Sequence, residues 1–482
     1  MPRAKKNISY SDILRSCDLD LKAGKIESAV ERLSNLNLVS VPREFRVRFA
    51  VVSRRAGIWH LGLKLLSNVI RSKAGESTAA ERIEYAALLS QNSSVREALE
   101  ILNENEKEGL SETFLFRGFC HVRLWEHEKA LADFERFLAT GPTPYLNVVA
   151  RVNTAAVLVA LDQYDRALEW INQNIEMARE SKSSRLIGNC LELRAQVYLA
   201  KKEFDRCRDD LEEAAKMFSP SSPDHLFVFK WSAVMEAMRS GSIQPLEELK
   251  QRAQSLQHWN TIREADLYIN KIHFKKSSFD HLYFGSPLKA YRRRILREVG
   301  REPGPIYFWG GEQKYYLDLA SGEMAGGGTI NAGKKIHRTL GILCRDFYAP
   351  VNVGEIFALL HENEYFDIFT SPARIHSTIQ RCRDWLERSR VPASIESVAG
   401  GYLLRIIGNF AIRISLEAEK VDSKNIFLSR LKALGPTFSI QIACRELGMP
   451  KSTFQRAIRP LVENGQVEML NSGRSTKYKV AR

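Results

Sequence analysis

A small residue returns in step along the first half of the chain: Ala29, Gly62, Ala98, Ala130, Ala167 and Cys207, at gaps of 33, 36, 32, 37 and 40 residues. Three positions before each stands a bulkier residue (Ile26, Trp59, Val95, His127, Tyr164, Phe204), and four positions after stands another (Leu33, Leu66, Leu102, Phe134, Ile171, Leu211). Those offsets fall on one face of an α-helix, and the small central residue lets a second helix approach closely. Apolar stripes of period 3.6 run from Ser9 to about Ala253, with a weaker seventh unit from Leu226 to Ala253. A single helix pair cannot bury its apolar face alone, so the pattern implies stacked pairs with a concave face. An all-α bundle without true repeats is the plainer alternative.

The clearest unit runs from Phe114 to Pro142. Gly118 and Ala130 are its small positions, Phe134 fills the space between the helices, and Pro142 ends the pair. Phe114, Gly118, Ala130, Phe134 and Pro142 resemble the tetratricopeptide repeat, whose period of about 34 residues the gaps bracket. His121 stands where that repeat usually carries an aromatic. The resemblance implies a face for peptides, partner subunits or small ligands. It does not extend to the units that bind acidic C-termini, because Leu115 and Phe119 occupy the positions where basic and Asn side chains are needed.

Several function classes are disfavoured. Seven dispersed cysteines without a C-x-x-C indicate neither a disulfide framework nor a Cys-based zinc site, and point to a reducing compartment. No run approaches about 18 apolar residues, and no apolar core follows the basic N-terminus, so neither a membrane span nor a secretory signal is expected. Gly328 to Lys335 reads G-x-x-x-x-G-K-K, but Lys335 takes the place of the Mg²⁺-binding Ser or Thr of a phosphate loop. No catalytic constellation and no cofactor or metal site is legible, and the expectation is a non-enzyme.

The formal charge of +14 suggests an acidic partner. From Asn331 to Arg482 there are 23 Lys and Arg against 14 Asp and Glu, and residues 426–482 alone carry +7. Another cluster, Arg292, Arg293, Arg294 and Arg297, lies on an expected short helix from Leu288 to Val299. It reads either as a phosphate contact or as a linker helix whose arginines are solvated or paired with acids on the repeat array.

After Pro305 the pattern changes to period 2. Ile306–Trp309 and Lys314–Leu319 read as strands around Gly310-Gly311. Helices are expected near Gly333–Asp346, Val353–Leu360 and Pro372–Arg388, and then a hairpin through Ser394–Val398 and Tyr402–Ile406. This order resembles the OmpR/PhoB-type winged helix. The likeness is carried by Leu317-Asp318 with its Ser-Gly-Glu turn, by Ile375, Ile379, Cys382 and Leu386 on one helix face, by Arg383, and by Gly400-Gly401-Tyr402 at the wing. Ala399 replaces the first wing glycine, and no receiver domain precedes the unit. The resemblance implies DNA contact by Arg374, Thr378, Arg381, Arg383 and Gly401. It also implies that the acidic, aromatic loop Glu362–Ser371 can touch RNA polymerase.

A second unit comes after it. Ser439–Gly448 and Lys451–Asn464 fit a helix-turn-helix around Gly448-Met449-Pro450, with Cys444 four before the turn glycine and Phe454 six after it. Pro450 replaces the usual Ser or Thr cap. Gln466–Leu470 and Ser475–Val480 make a wing, so the unit resembles the winged-helix superfamily broadly. Lys451, Ser452, Gln455, Arg456 and Arg459 lie off the apolar stripe of Phe454, Ile458 and Leu461. Arg and Gln suit bidentate contacts to base edges, whereas Arg474, Lys477 and Lys479 in the wing suit phosphates. Each is otherwise an ordinary surface side chain.

The expected fold is mostly α: a tetratricopeptide-like solenoid over 1–255, a helical linker over 256–304, a winged helix over 305–410, a linker over 411–425 and a second winged helix-turn-helix over 426–482. The function expected is that of a cytoplasmic, bacterial transcriptional regulator. Double-stranded DNA, a protein or peptide on the concave face, RNA polymerase and a second copy of the chain are its partners. The alternative is a PCI-like scaffold subunit whose winged helices dock other proteins. RNA binding by the same modules is a further reading.

Overall fold

The computed structural model describes residues 9–480 except 72–76, 219–222, 312–313, 326–329, 332, 399, 417–426, 429–430, 433, 448–450 and 471–475, and leaves aside the side chain of 453. The chain divides into two compact units. The first comprises 1–301 together with Asn352–Ala373, and the second comprises Glu302–Val351 with Arg374–Arg482.

The first unit is an array of helix pairs. The pairs are α1 (Tyr10–Lys22) with α2 (Ile26–Ser34), α3 (Arg43–Arg55) with α4 (Trp59–Ile70), α5 (Ala79–Gln91) with α6 (Val95–Asn105), and α7 (Glu112–Arg123) with α8 (His127–Ala139). They continue as α9 (Pro144–Ala160) with α10 (Tyr164–Glu180), α11 (Ser184–Ala200) with α12 (Phe204–Met217), and α13 (Asp224–Ser240) with α14 (Gln244–Ser255). The last pair is the weak seventh unit. Each bulky residue at the −3 position begins a second helix. Two positions before it the backbone takes positive φ, at Gly24, Gly57, Ser93, Trp125, Asp162 and Lys202. That reversal sets the angle of each pair, and only two of the six use glycine, the residue that tolerates it at no steric cost.

The small residues lie where the helices cross. Ala29, Ala98, Ala130, Ala167 and Cys207 are fully buried, as are Leu33, Leu66, Leu102, Phe134 and Ile171 four positions on. A Cβ at Gly118 would stand 2.5 Å from the Phe134 ring. Buried ion pairs tie the helices of two pairs together at the same spacing. Arg117 is bidentate to Asp133 at 2.8 and 2.6 Å, and Arg194 to Asp210 at 2.8 and 2.7 Å.

The segment 256–304, expected as a linker, instead prolongs the array. α15 (Trp259–Ile272) puts Ala265, Tyr268 and Ile269 into the same core as α8 to α14. It packs against α16 (Lys276–Phe284) and α17 (Lys289–Val299). The physical reason is that α14, left as a last helix, would expose the apolar face that α15 covers. The expected break at Ser219–Ser222 lies outside the described residues.

In the second unit, β1 (Ile306–Trp309) and β2 (Tyr316–Asp318) do not pair with each other as a hairpin around Gly310-Gly311. Both flank β6 (Ala411–Ser415), antiparallel and parallel respectively. The stretch expected to begin a linker at 411 is therefore the central strand, because Ala411, Ile412 and Ile414 are buried there, whereas β1 buries no side chain and β2 only Leu317. The rest of that expected linker, 417–425, lies outside the described residues. α18 (Lys335–Leu343), α19 (Val353–Leu360) and α20 (Ser371–Arg388) form where helices were expected, α19 over the same residues. α19 and the first three residues of α20 belong to the first unit. After the two-residue strand β3 (Val351–Asn352), β4 (Ala393–Val398) and β5 (Gly401–Ile406) make the expected antiparallel hairpin. Farther on, β7 (Thr437–Ser439), β8 (Val467–Met469) and β9 (Lys477–Val480) form a sheet in the order β7-β9-β8. With α21 (Ile440–Glu446) and α22 (Lys451–Glu463), they enclose a core around Phe438, Phe454, Ile458, Leu461 and Tyr478.

His337 in α18 is fully buried. The Gly333 amide donates to its Nδ1 at 2.9 Å, so Nε2 carries the proton and donates to the Leu319 carbonyl at 2.9 Å. Burial lowers its pKa below the ordinary 6.5. Its stabilising contribution is thus complete above that value and is lost as pH falls through the lowered one. His60, His127, His258 and His281 are lowered by burial in the same sense. The share that belongs to His337 is the difference in melting temperature between the parent and His337→Gln, which should shrink from pH 7 to pH 5; a difference that grows over that range would contradict this account.

Candidate functional site

Inside the array lies a cavity of about 1190 Å³. Its walls come from sequentially distant helices. α11 contributes Asn189, Glu192 and Gln196, one helical face of hydrogen-bonding groups, and α13 contributes Phe227, Lys230 and Trp231. α15 contributes Glu264, Tyr268 and Lys271, and α17 contributes Arg294, Arg297 and Glu298. Trp125 and His127 reach it from the turn into α8.

The charges are cross-compensated. Glu264 accepts from Lys230 at 2.9 Å and from Arg294 at 3.1 Å. Burial works against its charge, but those two cations outweigh burial and hold the carboxyl at about 2. Glu192 accepts from Gln196 at 2.8 Å, and burial pushes its carboxyl up. The Lys230 ammonium sits 4.3 Å from the centre of the Trp231 ring. Neither ring nitrogen of His127 has a hydrogen-bond partner among the described residues, and burial lowers its pKa, which favours the neutral imidazole. Such a chamber offers aromatic walls, amides and both signs of charge to a ligand with apolar groups and its own hydrogen-bonding backbone.

α17 is the element whose arginines allowed two readings. The array engages three of the four. Arg294 binds Glu264 and lies over Trp125 at 5.6 Å. Arg297 pairs with Asp162 at 3.0 Å, and Arg292 donates to the Ser286 carbonyl at 2.6 Å. Tyr291 packs edge-on against Trp125 at 4.6 Å. Of the two readings, the pairing of arginines with acids on the array is the one that Arg294 and Arg297 match, on a helix that belongs to the array and is no linker. Sequence inspection missed Trp125, Glu192, Lys230 and Glu264 as a group, because only the stacking of α8 to α17 brings them together.

The residues expected to meet DNA lie in the second unit. On α22, Lys451, Ser452, Gln455, Arg456 and Arg459 are all exposed, while Phe454, Ile458 and Leu461 face the core. Arg459 is bonded to Glu463 at 2.8 Å. Lys477 and Lys479 are exposed on β9, the latter 3.9 Å from Glu468. Arg474 and the turn Gly448-Met449-Pro450 lie outside the described residues.

On α20 the set divides. Arg374 and Arg381 are exposed. Thr378 is 5% exposed and gives its hydroxyl to the Arg374 carbonyl at 2.8 Å. Arg383 is spent on the fold: its guanidinium donates to the Ile395 carbonyl at 3.0 and 2.8 Å and to Ser397 Oγ at 3.0 Å. Gly401 is buried, and a Cβ there would lie 2.7 Å from the Val351 carbonyl oxygen, so its role is close packing. Of the phosphate-loop look-alike, Gly328, Thr329 and Ala332 are outside the described residues, and Gly333 serves His337.

No family model matches the chain, and no curated protein matches it. Among solved structures it is similar to the apo form of RapI, at 12% identity and a TM-score of 0.39 over 57% of this chain and 85% of the other. It is also similar to a tetratricopeptide repeat protein from Parabacteroides merdae, at 16% identity and a TM-score of 0.34 over 61% and 99%. The repeat array is established by its own helix pairing. None of the described helices is long and apolar enough to cross a membrane.

Proposed function

We propose that this chain is a non-enzymatic DNA-binding transcriptional regulator of the bacterial cytoplasm. In this reading the array receives a protein or peptide in its cavity, and the second unit binds double-stranded DNA through two winged-helix modules, the first OmpR/PhoB-like. The observation that carries the reading is α22. Five polar side chains, three of them cationic, occupy its exposed face at helical spacing, beside the cationic strand β9. A helix of this kind fits the major groove, with Arg456 and Gln455 against base edges and Lys477 and Lys479 against phosphates. In the first module the exposed cations are Arg374 and Arg381. The loop Glu362–Ser371 presents Tyr365 and Phe369 for a polymerase contact, both more than half exposed. A homodimer would double the phosphate contacts.

The test is a titration with mixed genomic fragments at several salt concentrations. Binding whose logarithm falls linearly with the logarithm of salt is expected. Absence of any complex at low salt would sink the DNA reading and leave a scaffold whose modules dock protein.

A further inference from the structure

The first unit includes a stretch that is remote in sequence, Asn352–Ala373. Its contacts with the array are specific. The Asn352 side-chain amide donates to Ser93 Oγ at 2.9 Å, in the tight turn between α5 and α6. Gly354, in the first turn of α19, lies so close to Asn92 that a Cβ would stand 2.1 Å from the Asn92 carbonyl oxygen. Phe366 is 2% exposed, and both of its backbone groups are captured. Its N–H donates to the Glu97 carboxylate of α6 at 2.8 Å, and its carbonyl accepts from the Arg71 guanidinium at the end of α4. Arg71 also reaches Glu97 at 3.5 Å and Asp367 at 3.7 Å. A backbone carbonyl held by a guanidinium makes a stronger hydrogen bond than one between neutral groups, and burial pushes the Glu97 carboxyl that faces the Phe366 amide up to about 7.

Asp367 joins this contact to α20. Its Oδ1 accepts from the amides of Phe369 and Thr370 at 2.8 and 2.9 Å, and its carbonyl accepts from the Ser371 amide at 2.8 Å. These bonds shape the turn from which the helix starts. α20 carries Arg374 and Arg381, and the turn at Asp367 sets where that helix begins. The stretch 352–373 has four carboxylates (Glu355, Glu362, Glu364, Asp367) and no lysine or arginine. Docked, the stretch has Asp367 beside Arg71; released, it is a negatively charged segment joined through the chain to the helix that carries the cations.

We propose that α4, the α5–α6 turn and α6 form a built-in receptor for the segment 352–373, and that its docking pre-organises the start of α20 and strengthens DNA binding. The second half rests on the DNA-binding reading above, and the first does not. An array that binds a segment of its own chain here has a direct means of reporting its state: whatever shifts α4 against α6 loosens the grip on Phe366.

The experiment uses the full chain and the variants Arg71→Ala, Glu97→Gln and Gly354→Val, the last excluding docking by sterics alone. Amide hydrogen exchange at 361–370 is followed beside helix content by circular dichroism. At least tenfold faster exchange with unchanged helix content is expected in Arg71→Ala and Gly354→Val, and a smaller effect in Glu97→Gln, which keeps an acceptor oxygen. Kd for genomic fragments at low salt should rise three- to tenfold, with the difference shrinking as salt is raised. Parent-like exchange in all three variants overturns the receptor. Faster exchange with equal or tighter DNA binding overturns the coupling. If the parent itself binds no DNA, the functional reading and the coupling fall, while the exchange result still decides whether the segment docks.

Discussion

Phe134→Ala should lower the stability of the helical array by about 3–5 kcal/mol, the range for removing a fully buried phenyl ring from a packed core. The ring has no exposed surface, meets Phe119 edge-on at 5.4 Å, and occupies the space that Gly118 leaves open. Surrounding helices cannot collapse into the void cheaply, since Arg117 and Asp133 pin the pair beside it. The reverse change, Gly118→Ala, should cost about 1–3 kcal/mol from overpacking, less the helix propensity gained on replacing glycine. The two positions share one volume, so Gly118→Leu placed in the Phe134→Ala background should recover part of the loss. Urea unfolding followed by circular dichroism measures these four proteins and Gly118→Leu alone, which completes the cycle. A cost under 1 kcal/mol for Phe134→Ala, or simple additivity of the pair, would show that this ring is not the wedge between α7 and α8.

The second large effect concerns DNA. Arg456→Ala should cost about 1–3 kcal/mol of specific affinity, which is roughly five- to 150-fold, and should flatten the preference among sequences. Arg456 is exposed and sits one turn before Arg459, whose guanidinium is already shared with Glu463. Removing Lys477 and Lys479 together should instead weaken all sequences alike and reduce the slope of log K against log salt by about two. The measurement is fluorescence anisotropy at four salt concentrations on a preferred and a scrambled fragment. If Arg456→Ala discriminates between fragments as the parent does, α22 is not the reading element. If the double lysine variant keeps the parental slope, β9 does not lie on phosphates.

Legibility differed sharply between regions. The register of small residues located the second helix of the first six pairs, because the −3, 0 and +4 positions answer to packing between helices adjacent in sequence. α19 was legible to the residue, and so was the β4–β5 hairpin to within one residue, since each is a local periodicity bounded by turn residues. The strand β6 was not, because five residues after a loop carry too little pattern to compete with a linker. Site residues fared similarly. The exposed cations of α22 followed from amphipathicity alone. Arg383 looked like a DNA contact from its place in a motif, yet its partners Ile395 and Ser397 lie 12 and 14 residues away on a strand, where only folding brings them.

What the amino-acid order determined by itself is the local scheme: helix pairs recurring at 32 to 40 residues, a change to short strands after Pro305, and a cationic C-terminal end. These rest on contacts spanning a few to some thirty residues, which leave a periodic trace. The tertiary structure alone decided that α15 to α17 prolong the array and that Trp125, Lys230, Glu264 and Arg294 surround one chamber. It alone placed Phe366 in the grip of Arg71 and Glu97, across separations of 295 and 269 residues. Contacts at that range are made by surfaces that exist only after the pairs have stacked, so no spacing in the chain announces them.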